Sequence, residues 1–391
     1  MPFGRSRCVV AAIVITLAPI ARAEAQGGST CTMDRMEVAP HAAVDACTAL
    51  LQQEGLTAQQ RGMALFVRGR GYHRTRRVQL AEKDYDAALQ LIPNNDELYV
   101  SRANAATRLG NAELGFRFLS RALELNPRNA HALRFFGSFL AAYGKPEQAI
   151  EYYQRALDID PAEAYALHFR SELYAERGQY ALALADADAL VALSPEIKNR
   201  QGYLDEHGLM RDFHVVALTH RGELHAQTGH MDFAEQDFNA AIAYRRSAEA
   251  LKARADYFYY RRNAPEAALT DLNAALAIEP DNAPALYSKG IVLTKQNRFE
   301  EAFAAFNHAV GIEPAYARAL KMRARMHRQF GRTEEAVSDF EMAIAISPDI
   351  LAKSIPALRH RGYWTSLSMP TSMTPELQDA IRACMIDTTC N

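Results

Sequence analysis

The stretch Ala130–Glu163 reads AHALRFFGSFLAAYGKPEQAIEYYQRALDIDPAE and returns, altered but recognisable, along most of the chain. It contains two apolar-periodic segments, Ala130–Tyr143 and Pro146–Ile159. In each segment apolar or small residues recur at the i, i+3, i+4, i+7 spacing that makes one stripe on a helix. Gly144 suits a left-handed end of the first helix, and Pro146 suits the first turn of the second. The stretch therefore predicts a helical hairpin.

The hairpin repeats with a fixed period. Its terminal proline recurs every 34 residues wherever neighbouring units are adjacent, and Arg246 fills the one missing place. The units run over 62–95, 96–129, 130–163, 164–197, 215–248, 249–282, 283–316 and 317–350. Positions 8, 20 and 27 of the units carry small residues, with local exceptions such as Leu190 and Asp256. Small residues at these positions let paired helices approach closely.

A 34-residue helix–turn–helix period with these small residues resembles the tetratricopeptide repeat family. The resemblance implies an all-α fold, a right-handed α-solenoid of eight 34-residue helical hairpins with capping helices at both ends. It also implies that first helices line a concave groove, where positions 2, 5, 9, 12 and 13 reach toward a ligand. The expected divisions are a signal peptide (1–25), an N-terminal cap (26–61), repeats one to four (62–197), an insert (198–214), repeats five to eight (215–350) and a C-terminal cap (351–391).

The first residues have the organisation of a signal peptide. Arg5 and Arg7 precede an apolar run from Cys8 to Ile20, and Ala-x-Ala triplets follow. The run is shorter than the roughly 20 residues that a membrane-spanning helix needs. We therefore expect an exported chain, periplasmic or secreted, with no transmembrane segment after cleavage.

Overall composition is that of a globular protein. The 391 residues are 49% hydrophobic and 23% charged, with a net charge of -2. These values exclude intrinsic disorder and give no overall bias toward nucleic acid or membranes, so no nucleic-acid partner is expected.

The cysteines favour disulfide bonds. Cleavage of the signal peptide leaves Cys31, Cys47, Cys384 and Cys390, an even number in an exported chain. Two lie before the first repeat and two after the last, so local pairing of Cys31 with Cys47 and of Cys384 with Cys390 is expected. Metal binding by these four residues would require the two ends to meet, and no Cys-x-x-Cys spacing supports it.

Common catalytic motifs are absent from the sequence, including Gly-x-Ser-x-Gly, a glycine-rich phosphate loop and His-Glu-x-x-His. Five histidines lie between His207 and His230, but the last three are five residues apart, which does not return to one helix face. The sequence therefore predicts no enzyme, no cofactor and no metal site. An enzyme that depends on His220, His225 or Glu223 is the least favoured alternative.

Charge distribution gives the main functional signal. The first helices of the first and eighth repeats carry cations with no acid on the same helix, whereas second helices are rich in acids. The cations are Arg68, Arg70, Arg74, Arg76 and Arg77 in the first repeat, and Arg318, Lys321, Arg323, Arg325 and Arg328 in the eighth. Glu172, Glu176 and Glu223 make the middle of the predicted groove acidic.

Transferring the family's ligand positions onto this chain gives a set of partner-binding residues that mixes arginine with tyrosine. Both residue types are enriched at binding hot spots, and arginine grips carboxylates through a bidentate fork. The predicted groove residues are Arg70, Arg74, Arg134, Tyr257, Tyr260, Arg261, Tyr287, Lys295, Arg318, Lys321, Arg325 and Arg328.

These residues favour a non-catalytic protein–protein interaction scaffold that binds an extended, acidic protein segment in its C-terminal groove. The alternative is a binder of an anionic polysaccharide or lipid headgroup in envelope assembly, because one-signed groove charges attract any anion. A steep fall of affinity with salt, together with indifference to peptide sequence, would favour the polymer.

Overall fold

A computed structural model describes residues 31–193, 195, 203–204, 210–364 and 374–386. The chain divides into two compact units, of which the first ends at Leu125 and the second begins at Asn126. Regular structure in the described residues is helical apart from one two-residue ladder, so the all-α prediction is confirmed. The predicted signal peptide lies outside the described residues.

The first unit has six helices among its described residues. They are α1 (Met33–Val38), α2 (Pro40–Leu51), α3 (Ala58–Arg74), α4 (Val78–Leu91), α5 (Asp96–Arg108) and α6 (Ala112–Leu125). Helices α3 and α4 pair as a hairpin, and so do α5 and α6. Helix α2 packs against α3, where Met36, Ala43, Cys47 and Val67 form a buried apolar cluster. It therefore covers the side of α3 that a preceding repeat would otherwise bury.

The second unit continues with paired helices. They are α7 (Ala130–Ala142), α8 (Pro146–Ile159), α9 (Ala164–Glu176), α10 (Tyr180–Ala192), α11 (Phe213–Gln227), α12 (Met231–Tyr244), α13 (Ala248–Tyr260), α14 (Pro265–Ile278), α15 (Ala283–Lys295), α16 (Phe299–Ile312), α17 (Ala317–Gln329), α18 (Thr333–Ile346), α19 (Asp349–His360) and α20 (Pro375–Ile386). Each odd-numbered helix from α7 to α17 packs against the next helix in the chain.

The third repeat shows why these residues form a hairpin. The side chain of Asn129 caps α7 by accepting a hydrogen bond from the Ala132 amide at 2.7 Å. Gly144 turns the chain with a φ of 69°, a left-handed conformation that costs glycine little, and Pro146 occupies the first turn of α8. A Cβ on Gly137 would lie 2.8 Å from the Tyr153 ring, so only glycine allows this close packing of α7 against α8.

The predicted insert (198–214) contains regular structure of its own. Its described part contains two short strands, β1 (Tyr203–Leu204) and β2 (Met210–Arg211), which pair antiparallel. Asp212 then caps α11, so the first helix of the fifth repeat begins inside the predicted insert. Asparagine, aspartate and serine side chains at such positions satisfy amides that the first helical turn leaves free.

At the C-terminal end, the predicted cap helix starts earlier than expected. The sequence placed the C-terminal cap at 351–391, whereas α19 begins at Asp349 and contains Pro356 in its interior. The last described helix, α20, lies within the predicted cap. Leu377 and Ile381 of α20 join the buried cluster of the eighth repeat, so α20 covers the end of that repeat.

The Cys31–Cys47 pairing is confirmed, and it links the residues before α1 to α2. Cys384 is also disulfide-bonded. Its predicted partner Cys390 lies outside the described residues, so that pairing stays a prediction.

Candidate partner-binding surface

One arginine in most first helices has a structural role. It forms a two-pronged ion pair with an aspartate on the second helix of the same hairpin, with every nitrogen–oxygen distance between 2.6 and 2.9 Å. The pairs are Arg68–Asp84, Arg170–Asp186, Arg221–Asp237, Arg254–Asp271 and Arg323–Asp339. Bidentate geometry is the strong form of this contact. The hydrogen bonds that Arg68 donates to Asp84 raise the pKa of Arg68, and those that Arg221 donates to Asp237 raise the pKa of Arg221.

The same arginines also reach the preceding second helix. Arg170 donates to Gln154, Arg221 to Asp188, Arg254 to Asn239 and Arg323 to Asn307, at 2.5–3.0 Å. In the first unit, Arg102 pairs with Asp86 and Glu82 of α4. We call these arginines and their acceptors the arginine ladder. It shows that two of the predicted unopposed cations, Arg68 and Arg323, are paired within the fold.

Arg134 was predicted to line the groove, and this prediction is wrong. Its side chain is nearly buried, and its Nε lies 2.9 Å from the carboxylate of Glu163, which is fully buried. The guanidinium also lies over the Phe135 ring, 3.8 Å from its centroid. Because Glu163 stands in the turn before α9, an acid outside both helices of the hairpin neutralises Arg134.

Tyr257 is the second wrong groove prediction. It is only 3% exposed, and its hydroxyl donates to the Met231 carbonyl at 2.9 Å. The reason is that Ser247 caps α13, so the sixth repeat begins at Ala248, one residue before the count by prolines. In the corrected register the small residue at position 8 is the buried Ala255, and the apparent exception Asp256 moves to the ligand position 9.

The remaining predicted residues lie at the surface or partly buried. Tyr260, Arg261, Lys295, Arg318, Lys321 and Arg325 are exposed, whereas Arg70, Arg74, Tyr287 and Arg328 are partly buried. Arg70 of the first unit lies beside Met33 of α1, 3.8 Å from its sulfur. In α17, Arg318, Lys321 and Arg325 make no ion pair with any described residue, unlike Arg323 on the same helix. These three cations are therefore available to a ligand.

Tyrosines gather beside one of these cations. The rings of Tyr287 and Tyr316 lie 5.4 Å apart. Burial raises the pKa of Tyr260 and of Tyr316 to about 12 each, an effect that Asp256 adds to and Arg318 opposes. Tyr260, Tyr287, Tyr316 and Arg318 thus lie within electrostatic reach of one another, and we call them the tyrosine cluster. Sequence reasoning missed Tyr316 because it occupies the last position of a repeat, which was counted as turn.

A second cluster lies on α9 and α11 and combines histidines with acids. His168 is buried, and its ring meets the His220 ring edge-on with centroids 4.9 Å apart. Burial lowers the pKa of His220 to about 4 and that of His168 well below its usual range, so both imidazoles are neutral at pH 7. Sequence reasoning considered His220 but missed His168, whose position 5 on a first helix was the available signal.

Carboxylates surround these histidines. Partial burial, together with the nearby charges of Glu176 and Glu223, raises the pKa of Glu172 to about 7. Glu223 faces solvent, yet protein surrounds it on its other sides, and the lost hydration raises its pKa to about 7 as well, with Lys252 opposing the shift. The acidic middle that the sequence predicted on these first helices therefore carries less than its full charge at neutral pH.

Ser171 and His220 form a hydroxyl–imidazole pair, with Oγ and Nε2 2.8 Å apart. A nucleophilic role does not fit, because Ser171 is fully buried and its hydroxyl donates to the Ala183 carbonyl at 2.7 Å. With that proton committed, Oγ accepts from His220, which therefore carries its proton on Nε2. The pair positions a ring and does not form a catalytic dyad.

Both units belong to one class of structure, antiparallel helical hairpins that recur every 34 residues, and the second unit exposes a basic and aromatic surface on its described first helices. The chain matches the tetratricopeptide repeat family over residues 100–164, 142–196, 252–317 and 287–349, and it is a tetratricopeptide repeat protein. No curated protein sequence matches it.

Solved structures show the same fold. Yeast Tom70 matches 79% of this chain and 66% of its own length, with 16% identity and a TM-score of 0.57. The match to a tetratricopeptide repeat protein from Parabacteroides merdae covers 73% of this chain and 99% of that protein's chain, with 19% identity and a TM-score of 0.51. The match to a chain of the APC/C hetero-tetramer Cut9–Hcn1 covers 80% of this chain and 59% of that chain, with 15% identity and a TM-score of 0.50. The chain thus spans less than two thirds of the length of the Tom70 and Cut9–Hcn1 chains that it matches.

Proteins of this class are protein–protein interaction scaffolds and are generally non-catalytic. In the part of the chain that the structure describes, no helix has the length and apolar character to cross a membrane. The expectations of no enzyme, no cofactor and no nucleic-acid partner stay predictions.

Proposed function

We propose that the second unit binds an extended, acidic protein segment along the first helices of its sixth to eighth repeats. The observation that carries the proposal is the contrast within α17. Arg323 forms an ion pair with Asp339. In contrast, Arg318, Lys321 and Arg325 are exposed and make no ion pair with described residues. Unpaired cations on a ligand-facing helix are complementary to carboxylates.

The tyrosine cluster adds contact area beside these cations. Tyr260 is 63% exposed, and Arg318 lies close enough to Tyr260, Tyr287 and Tyr316 to act electrostatically on all three hydroxyls. Tyrosine supplies a large apolar face with only two rotatable bonds, so ordering it costs little entropy. The acidic segment would lie with its carboxylates over α17 and its apolar side chains against the tyrosines.

The acids of the fourth and fifth repeats favour the same placement. Glu172, Glu176 and Glu223 repel carboxylates, so they disfavour an acidic segment on α9 and α11. A segment with acids at one end and neutral or basic residues at the other satisfies both parts of the surface.

We further propose that the protein works in an oxidising compartment, periplasmic or extracellular. Two features support this placement: the signal-like organisation of the first 25 residues and the Cys31–Cys47 disulfide. Disulfides persist mainly in exported proteins.

A peptide-array experiment tests the proposal. The mature chain is compared with the variant Arg318→Glu, Lys321→Glu, Arg325→Glu on a library of random peptides of fixed length. We expect the mature chain to select peptides rich in aspartate and glutamate. Three exposed charge contacts contribute about 0.5–1 kcal/mol each, so the variant should bind those peptides about 10–100-fold more weakly.

A matched control reverses three exposed cations outside the first helices, Arg128→Glu, Lys145→Glu and Arg246→Glu. It changes the net charge by the same amount and should leave the selected peptides bound. Equal losses in both variants would show that only net charge matters. Equal binding of dextran sulfate and acidic peptides, lost together with salt, would favour the anionic-polymer alternative over a peptide site.

A further inference from the structure

The histidine–acid cluster of the second unit brings three metal-binding side chains together. His168 and Glu172 stand four residues apart on α9, which places them on one face of the helix. His220 reaches them from α11, the first helix of the next repeat. One ligand atom from each of the three lies within 4.8 Å of the other two.

We propose that His168, Glu172 and His220 form a binding site for a divalent transition-metal cation of the zinc class. The proposal goes beyond the peptide-binding function, and it concerns a different part of the second unit. The ligand set of two imidazoles and one carboxylate suits zinc and its neighbours, whereas calcium and magnesium prefer oxygen ligands alone.

Distances within the cluster fit a cation better than a direct contact. His168 Nε2 and Glu172 Oε1 are 3.6 Å apart, too far for a hydrogen bond between them. Two ligands that each lie about 2.0–2.1 Å from a tetrahedral ion are roughly 3.4 Å from one another. A small rotation of the exposed Glu172 side chain therefore brings both atoms into bonding range of one ion.

The imidazoles are prepared for ligation by their surroundings. Ser171 accepts a hydrogen bond from His220 Nε2 and so directs the lone pair to Nδ1. Metal-binding histidines in proteins usually have such an outer partner, which fixes the tautomer and the ring plane. Phe213 packs edge-on against His168 and fixes that ring too.

The electrostatics of the site also favour a cation. Glu176 and Glu223 lie near Glu172, and their carboxylates repel its carboxylate. A bound dication would relieve this repulsion, and the side chain of Glu172, 46% exposed, gives the ion a path from solvent. Three protein ligands leave at least one coordination position for water or for a group from a bound partner.

Zinc titration of the untagged, metal-stripped full chain tests the site. We expect isothermal titration calorimetry to show one ion per chain, and a Co²⁺-loaded sample to show the visible absorption of a four-coordinate ion. His168→Gln and His220→Gln should each weaken zinc binding at least about 100-fold, and Ser171→Ala about tenfold through its outer contact.

Two variants keep the result interpretable. Glu172→Gln changes an exposed residue, so it should retain the fold by circular dichroism while it weakens zinc binding at least about tenfold. His225→Gln removes a histidine of the same helix outside the cluster and should leave the affinity unchanged. Zinc affinity that is the same in Glu172→Gln and in the unchanged chain, or the absence of a stoichiometric ion, overturns the proposal.

Discussion

The first helices of the first and eighth repeats, each considered in its own unit, carry the same sequence signal with different outcomes. Both have a run of cations and no acid. In α3, Arg68 pairs with Asp84 and Arg70 lies beside Met33 of the cap. In α17, Arg323 pairs with Asp339, but three further cations stay exposed.

The position of a cation on a first helix decides whether it pairs within the hairpin or stays exposed. Position 7 faces the second helix of the same hairpin, where position 23 supplies an aspartate in both repeats. Positions 2, 5 and 9 face away from that helix, and at those positions α17 carries Arg318, Lys321 and Arg325. A charge count along one helix cannot separate these two groups.

Removal of one partner of a ladder ion pair should have the largest effect. Asp339→Ala leaves Arg323 without its acid, although the Arg323 side chain is only 19% exposed. Breaking such a pair should lower the free energy of unfolding by about 3 kcal/mol. Asp84→Ala should cost a similar amount in the first repeat, as measured by urea denaturation.

Replacing both partners tests the cause of that loss. Arg323→Met with Asp339→Leu should lose clearly less stability than Asp339→Ala, because no buried charge is left unpaired. Equal losses would mean that packing, and not the unpaired charge, explains the effect.

The stability of the first and eighth repeats should depend differently on pH, because position 12 is His73 in the first repeat and Arg328 in the eighth. Burial, together with the charges of Arg108 and Arg70, lowers the pKa of His73 to about 4. An unfolded histidine has a pKa near 6.5. The unfolded state therefore binds the proton first, and stability present above pH 6.5 is lost as the pH falls toward 4.

Between pH 7 and pH 5 this histidine should cost the first unit about 2 kcal/mol of stability. Hydrogen exchange of the α3 amides, corrected for intrinsic rates, would measure the loss. His73→Gln does not titrate and should flatten the dependence. An unchanged pH dependence in that variant would assign the loss to other groups.

A single exposed cation should contribute little to folding. Arg325→Ala should change the free energy of unfolding by less than about 0.5 kcal/mol, since the side chain makes no ion pair with described residues. Thermal denaturation beside Asp339→Ala measures the difference. A loss as large as that of Asp339→Ala would contradict the division of α17 into paired and available cations.

The smallest effect is expected for binding at the first repeat. Arg70→Glu with Arg74→Glu should change the affinity for acidic peptides less than about twofold, which corresponds to about 0.4 kcal/mol. Fluorescence anisotropy with a peptide selected on the array measures it. A loss equal to that of the α17 variant would extend the binding surface to the first unit.

The helical hairpins were predictable because each turn carries its own local signal. Gly144 and Pro146 end one helix and start the next, and the same positions recur with the period. The β1–β2 ladder and the early start of α19 were not predictable, since a two-residue pairing and a proline inside a helix have no periodic signature.

The binding surface was predicted less well, for two physical reasons. Arg134 is neutralised by Glu163, an acid in a turn that helix-by-helix counting assigns to no face. Tyr257 is buried because Ser247 starts α13 one residue early, and the turn at Arg261–Asn263 absorbs the extra residue. The capping preference of Ser247 was the available signal, but the proline count took precedence over it.

The arginine ladder has an interruption whose consequence is mechanical. The seventh repeat carries Lys289 at position 7, and among the described residues no hydrogen bond joins it to α14. At the two neighbouring joints, Arg254 links α13 to α12 and Arg323 links α17 to α16. In the described part of the chain, the α14–α15 joint lacks an arginine contact and keeps a hydrogen bond from Gln296 to Glu266 at 3.2 Å. Under a stretching force along the second unit it should therefore open more easily than those two joints. The tyrosine cluster spans this joint, with Tyr260 on α13 and Tyr287 on α15, so such a force would divide the binding surface and release a bound ligand.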